Sequence, residues 1–81
     1  VQLEAGDYND AINTSRRLLD ADSLDEDAWR RIMTAHARSG ERTQALRVYQ
    51  QVTELMQREI ESTPDRATEK LAQRIRAGDA V

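Results

Sequence analysis

Chemistry has few places to start in this chain. It holds one histidine, His36, no cysteine, and three glycines that form no glycine-rich loop, so neither a thiolate nucleophile nor a phosphate cradle is on offer. His36 falls among Ile32, Met33 and Ala37, on an apolar stripe, with no further metal-ligating residue at helical or loop spacing from it. That is the setting of a packed or interfacial histidine rather than of a ligand or a base. Ser15 and Ser39 have no base at a recognisable motif distance. The expectation is a non-catalytic protein with no cofactor and no bound metal.

Two charged constellations remain. Asp20, Asp22, Asp25, Glu26 and Asp27 crowd five carboxylates into one stretch. An EF-hand loop would need glycine at its sixth position and glutamate at its twelfth, and neither is present. The cluster reads instead as a turn whose acids stand at the positive N-terminal end of the next helix, with Asp25 as its N-cap. Arg30, Thr34 and Arg38 recur every four residues and so share one helix face. A solvated basic face balancing the nearby acids accounts for them. In stacked helical repeats the same face lines the concave groove and takes a protein partner.

Two helices must position that face. The stretch from Leu24 to Tyr49 reads as a helical pair turning at Ser39 and Gly40, because glycine leaves a helix in the left-handed conformation without a Cβ clash. Trp29, Ile32, Met33 and His36 form the buried stripe of the first member. Ala45 stands where the second crosses it, small enough for Trp29 and Tyr49 to fill the flanking space. Gly6 and Gly40, Ala11 and Ala45, and Ile12 and Leu46 are each 34 residues apart, the period of tetratricopeptide repeats.

The spacing predicts an all-α fold of about four helices, over roughly 8–21, 26–39, 43–61 and 65–77, arranged as tetratricopeptide-like antiparallel pairs. Asp7 is the expected N-cap of the first. Ala45, Leu46, Tyr49, Val52, Leu55, Met56 and Ile60 form the stripe of the third, with Val48 on its flank. Thr63 is the expected N-cap of the fourth, Pro64 its first residue, and Ala67, Leu71, Ala72 and Ile75 its inward face. Met33 and Met56, within apolar stripes, read as core.

With 81 residues the chain makes one domain with a small core. It begins without methionine and meets Gly6 early, so it reads as a fragment of a longer protein: 1–6 the end of a truncated helix, 7–61 the repeat helices, 63–78 the closing helix. A first helix without its predecessor would leave Tyr8, Ile12 and Leu19 partly uncovered, and self-association through them is the expected consequence. The net charge of -3 opposes direct nucleic-acid binding by this segment. No apolar run is long enough to span a membrane and no signal peptide is visible, so a cytoplasmic location is expected.

A narrower resemblance rests on Leu24 to Met33, then Ser39-Gly40-Glu41-Arg42, then Ala45 to Tyr49, followed by Leu55 to Ile60 and by Pro64. Together these resemble the bacterial transcriptional activation domain of the antibiotic regulatory proteins, over about Gly6 to Arg76. Ser23 stands where that family usually has proline, and Ile60-Glu61 where it commonly has Leu-Gly. The resemblance implies a helical domain beside a winged-helix DNA-binding domain. It further implies contacts with that domain, with a second protomer and with the transcription machinery, RNA polymerase included. The different reading, from periodicity alone, is a general peptide-binding repeat or accessory domain of a larger protein. The residues ahead of Val1 would separate the two.

Overall fold

The computed structural model describes residues 5–81, with side chains from Tyr8 onward. Four helices follow one another, α1 (Ala5–Ala21), α2 (Glu26–Arg38), α3 (Arg42–Ile60) and α4 (Arg66–Ala77), and the described residues contain no strand. This is the all-α, tetratricopeptide-like helical architecture expected. α2 is its hub, packing against α1, α3 and α4, while α3 and α4 also pack on each other. Among the described residues α1 rests on α2 alone.

The reason α2 takes the centre is its composition. Its apolar and small residues cover most of its circumference, and Ala28, Trp29, Ile32, Met33, Ala35 and His36 are all buried. Asp25 caps its start, its Oδ1 accepting the Ala28 amide at 3.3 Å, and the Asp22 carboxylate closes the preceding turn on the Leu24 amide at 3.0 Å. Trp29 is held by packing and by its indole N–H, which donates to the Ser23 carbonyl at 2.9 Å. At the other end Ser39 is the C-cap and Gly40 follows at φ +85°. Nothing lies within 4 Å of where a Cβ on Gly40 would sit, so the backbone angle alone calls for glycine there.

α3 crosses α2 at Ala45, which is wholly buried, and Val48, Val52 and Met56 continue its inward line. Tyr49, Leu46 and Leu55 are half-buried against the same core. Val48, expected on the flank, is 1% exposed, whereas Ile60, expected within the stripe, is 48% exposed. The stripe is therefore centred on Ala45, Val48, Val52 and Met56, at spacings of three and four, and the last turn of α3 runs past the edge of the core. Each fully buried branched side chain contributes on the order of 1.5–3 kcal/mol.

Three local expectations are corrected. α1 begins at Ala5, so Gly6 and Asp7 lie within it and Asp7 is not its N-cap. One glycine costs a helix only about 1 kcal/mol, which flanking turns and tertiary packing override. The expected end of a preceding helix otherwise falls outside the described residues. α4 begins at Arg66 with Asp65 as N-cap, not with Thr63 and Pro64. Pro64 is buried, and the next amide, that of Asp65, is taken by the Glu26 carboxylate of α2 at 2.8 and 3.2 Å. A carboxylate from across the fold does the work a local cap would do. The inward face of α4 is Thr68, Ala72 and Ile75, while Ala67 is exposed and Leu71 half-buried.

Of the three α1 residues expected to be partly uncovered, one differs. Ile12 is 8% exposed and belongs to the core, with Tyr8 and Leu19 half-buried against it. Leu18, at 39%, is the large apolar side chain that α1 leaves exposed.

Candidate functional site

α1 and α4 both lean on α2 without packing on each other among the described residues. The space between them is an open groove of about 980 Å³. α2 forms its floor with Arg30, Arg31, Thr34, Ala35 and Arg38. Tyr8, Ala11 and Thr14 of α1 stand on one side, and Ala67, Lys70, Leu71 and Arg74 of α4 on the other. Arg30, Thr34 and Arg38 thus line one groove, as the four-residue spacing predicts.

Their states differ from one another. Arg30 is not free: its Nη1 donates to Thr68 Oγ1 at 2.8 Å, and its Nη2 bonds Asp27. Thr68, with no exposed surface, in turn donates its hydroxyl to Glu26 Oε1 at 3.0 Å. Glu26, Asp27, Arg30 and Thr68 form one connected set tying the first two turns of α2 to the start of α4. Removing Arg30 therefore perturbs the fold as well as the groove. Arg38 is exposed, and its Nε and Nη2 both donate to the Val81 main-chain oxygen, at 3.0 and 2.7 Å. Thr34 is half-buried on the groove floor.

Four of the five carboxylates in the acidic cluster are accounted for by hydrogen bonds and an ion pair. Asp22 and Asp25 shape the turn into α2, Glu26 caps α4, and Asp27 holds Arg30. Their positions serve the architecture, one carboxylate at a time. His36 lies outside the groove lining and is 9% exposed. Its ring nitrogens have no hydrogen-bond partner; Glu41 Oε1 stands 3.5 Å from Nδ1, within ion-pair reach but past a well-formed bond.

Sequence spacing missed half of the groove. Arg31, Lys70 and Arg74 bring the lining to five cations against the carboxylates of Asp10 and Asp27, a basic surface on an acidic chain. Ala67, Lys70, Leu71 and Arg74 recur at three and four residues, so their shared face was readable. That it opposes the arginines of α2 depends on the packing of α4. Arg31 and Lys70 are exposed and enter no ion pair among the described residues.

No helix among the described residues is long and apolar enough to cross a membrane. No curated protein and no solved structure matches the chain. The family model of the bacterial transcriptional activator domain matches residues 1–76, nearly the whole of these four helices, and the chain belongs to that family.

Proposed function

We propose that this domain is the protein–protein interaction and activation module of a bacterial transcriptional regulator, and that its working surface is the groove between α1 and α4. The observation that carries the reading is the groove's charge: five cations against two carboxylates in a chain of net charge -3. Such a surface suits an acidic protein segment, with Tyr8, Ala11 and Leu71 offering apolar contact beside the charges. The partner expected is a protein surface of the regulator's own DNA-binding domain, of a second protomer, or of RNA polymerase. The role is one of binding, without a catalytic step.

Exposed ion pairs contribute roughly 0.2–1 kcal/mol each, so two or three of them raise affinity by about twofold to a hundredfold and lose that gain in salt. Binding of this strength suits reversible assembly at a promoter. Family membership supports this reading over that of a general peptide-binding adaptor.

The test uses the domain fused to a heterologous DNA-binding domain that recruits it to a reporter promoter in bacteria. Arg31→Glu with Lys70→Glu reverses two exposed charges that hold no ion pair among the described residues. Activation should fall severalfold while the melting temperature of the purified variant stays within a few degrees of the parent. Undiminished activation would show that the groove is not the working surface.

A further inference from the structure

α1 and α4 are each seated on α2 but not on each other among the described residues, so the groove between them has a helix for its floor and a helix for each wall. Its floor runs from Asp27 to Arg38, about 16 Å of α2 at a rise of 1.5 Å per residue. A cylinder of that length and of the width of a helix with its side chains, about 10 Å, encloses roughly 1,250 Å³. The groove holds about 980 Å³. It therefore takes most of one further helix of three turns, with one side of that helix left in solvent.

The chemistry of the walls favours a helix over an extended segment. The main-chain groups of α1, α2 and α4 are bonded along their own axes, and the described residues contain no sheet edge to which a strand could add. An extended segment would bring a row of amide N–H groups in need of acceptors. The groove is lined by no asparagine or glutamine among the described residues, and Asp27 is bonded to Arg30, which leaves short hydroxyls and the exposed Asp10 carboxylate for that row. A helix satisfies its own amides and presents side chains alone.

The cations have a helix's spacing. Arg31 and Arg38 are seven residues apart on α2, about 10 Å along its axis, and Lys70 and Arg74 are four apart on α4, about 6 Å. All four are exposed. Carboxylates four and seven residues apart on a helix recur over the same distances and share one face. Between the cations Ala11, Thr34 and Ala35 are small, which lets an incoming axis approach to ordinary helix-packing distance, about 8–10 Å.

We propose that the groove receives a single α-helix of a partner protein, amphipathic and acidic, whose carboxylates stand four and seven residues apart to face Arg31, Arg38, Lys70 and Arg74. Its apolar side chains lie between them against Ala11 and Leu71. This inference rests on the groove reading above and adds the conformation of the partner.

The experiment uses the 81-residue chain and three fluorescein-labelled peptides of equal length and charge, titrated by fluorescence anisotropy. The first is a hydrocarbon-stapled helix with glutamates four and seven residues apart on one face. The second carries the same staple with its glutamates distributed around the helix, and the third is the first without the staple and with two central prolines. The first should bind about tenfold more tightly than either of the others, because it arrives preorganised and with its charges in register. Thr34→Trp on the floor and Ala11→Trp on the wall each fill the space while keeping all five cations. Whichever variant melts within a few degrees of the parent should bind the first peptide about tenfold more weakly and the third about as the parent does. Equal affinity of the stapled and proline peptides for the parent would overturn the helical partner and leave the groove as a site for acidic segments. Stapled-peptide affinity unaltered by a folded tryptophan variant would likewise overturn it. Binding of all three peptides that Arg31→Glu with Lys70→Glu leaves unchanged, or binding of none of them, would overturn the groove reading and this inference with it.

Discussion

Glu61 is the one non-glycine residue of positive φ among the described residues, at φ 50° and ψ 43°, where it ends α3. Its amide bonds the Gln57 carbonyl at 3.2 Å, and that of Ser62 reaches back to Met56 at 3.3 Å, the closing bonds of a left-handed helix terminus. A side chain in that conformation costs about 1–2 kcal/mol. Glu61→Gly removes the clash but gives the unfolded chain more freedom, which takes back about 0.4–1 kcal/mol. The net backbone gain lies between about 0 and 1.6 kcal/mol, centred near 0.8 kcal/mol. Removing a carboxylate from the negative end of a helix adds about 0.3–1 kcal/mol, and Glu61→Gln isolates that contribution because it keeps the Cβ. For a domain of this size 1 kcal/mol moves the melting midpoint by roughly 4–8 °C. Thermal unfolding followed by far-ultraviolet circular dichroism should therefore rank glycine above glutamine and glutamine above the parent. A glycine variant melting no higher than the glutamine variant would refute the claim that Glu61 holds a strained angle.

Other outcomes follow from the packing. Ala45→Leu places a larger side chain at a fully buried helix crossing and should destabilise by about 1–3 kcal/mol in urea unfolding; an unchanged midpoint would mean that the two helices do not meet there. Glu26→Ala leaves the Asp65 amide and the buried Thr68 hydroxyl without their acceptor, which should cost about 1–3 kcal/mol. Hydrogen exchange should then accelerate at the start of α4 more than at the centre of α3. Arg30→Ala should lower the melting temperature measurably, because its guanidinium bonds Thr68 and Asp27, whereas Arg31→Ala should not; equal melting of the two would mean that the Arg30 bonds contribute nothing.

Four helices, the Gly40 turn, Asp25 as N-cap, and Trp29, Ile32, Met33, His36 and Ala45 as buried residues were all legible in the amino-acid order. Each depends on local physics: a 3.6-residue period, a cap within four positions, a backbone angle that favours glycine. The start of α4 was not legible, because the amide of its N-cap residue, Asp65, is satisfied by Glu26, 39 residues away in the chain, and local capping rules see only neighbours. The same limit applies to the inward turn of Thr68 and to the centring of the α3 stripe on Val48, since a stripe's exact azimuth is set by what it packs against. The set Arg30, Thr34 and Arg38 was half legible: periodicity placed the three on one face. Only the seating of α4 on α2 decided that Arg30 would be tied to Thr68 and that Lys70 and Arg74 would complete the groove. Sequence spacing orders residues around one helix axis, but the charge and shape of a groove arise from where separate axes come to rest.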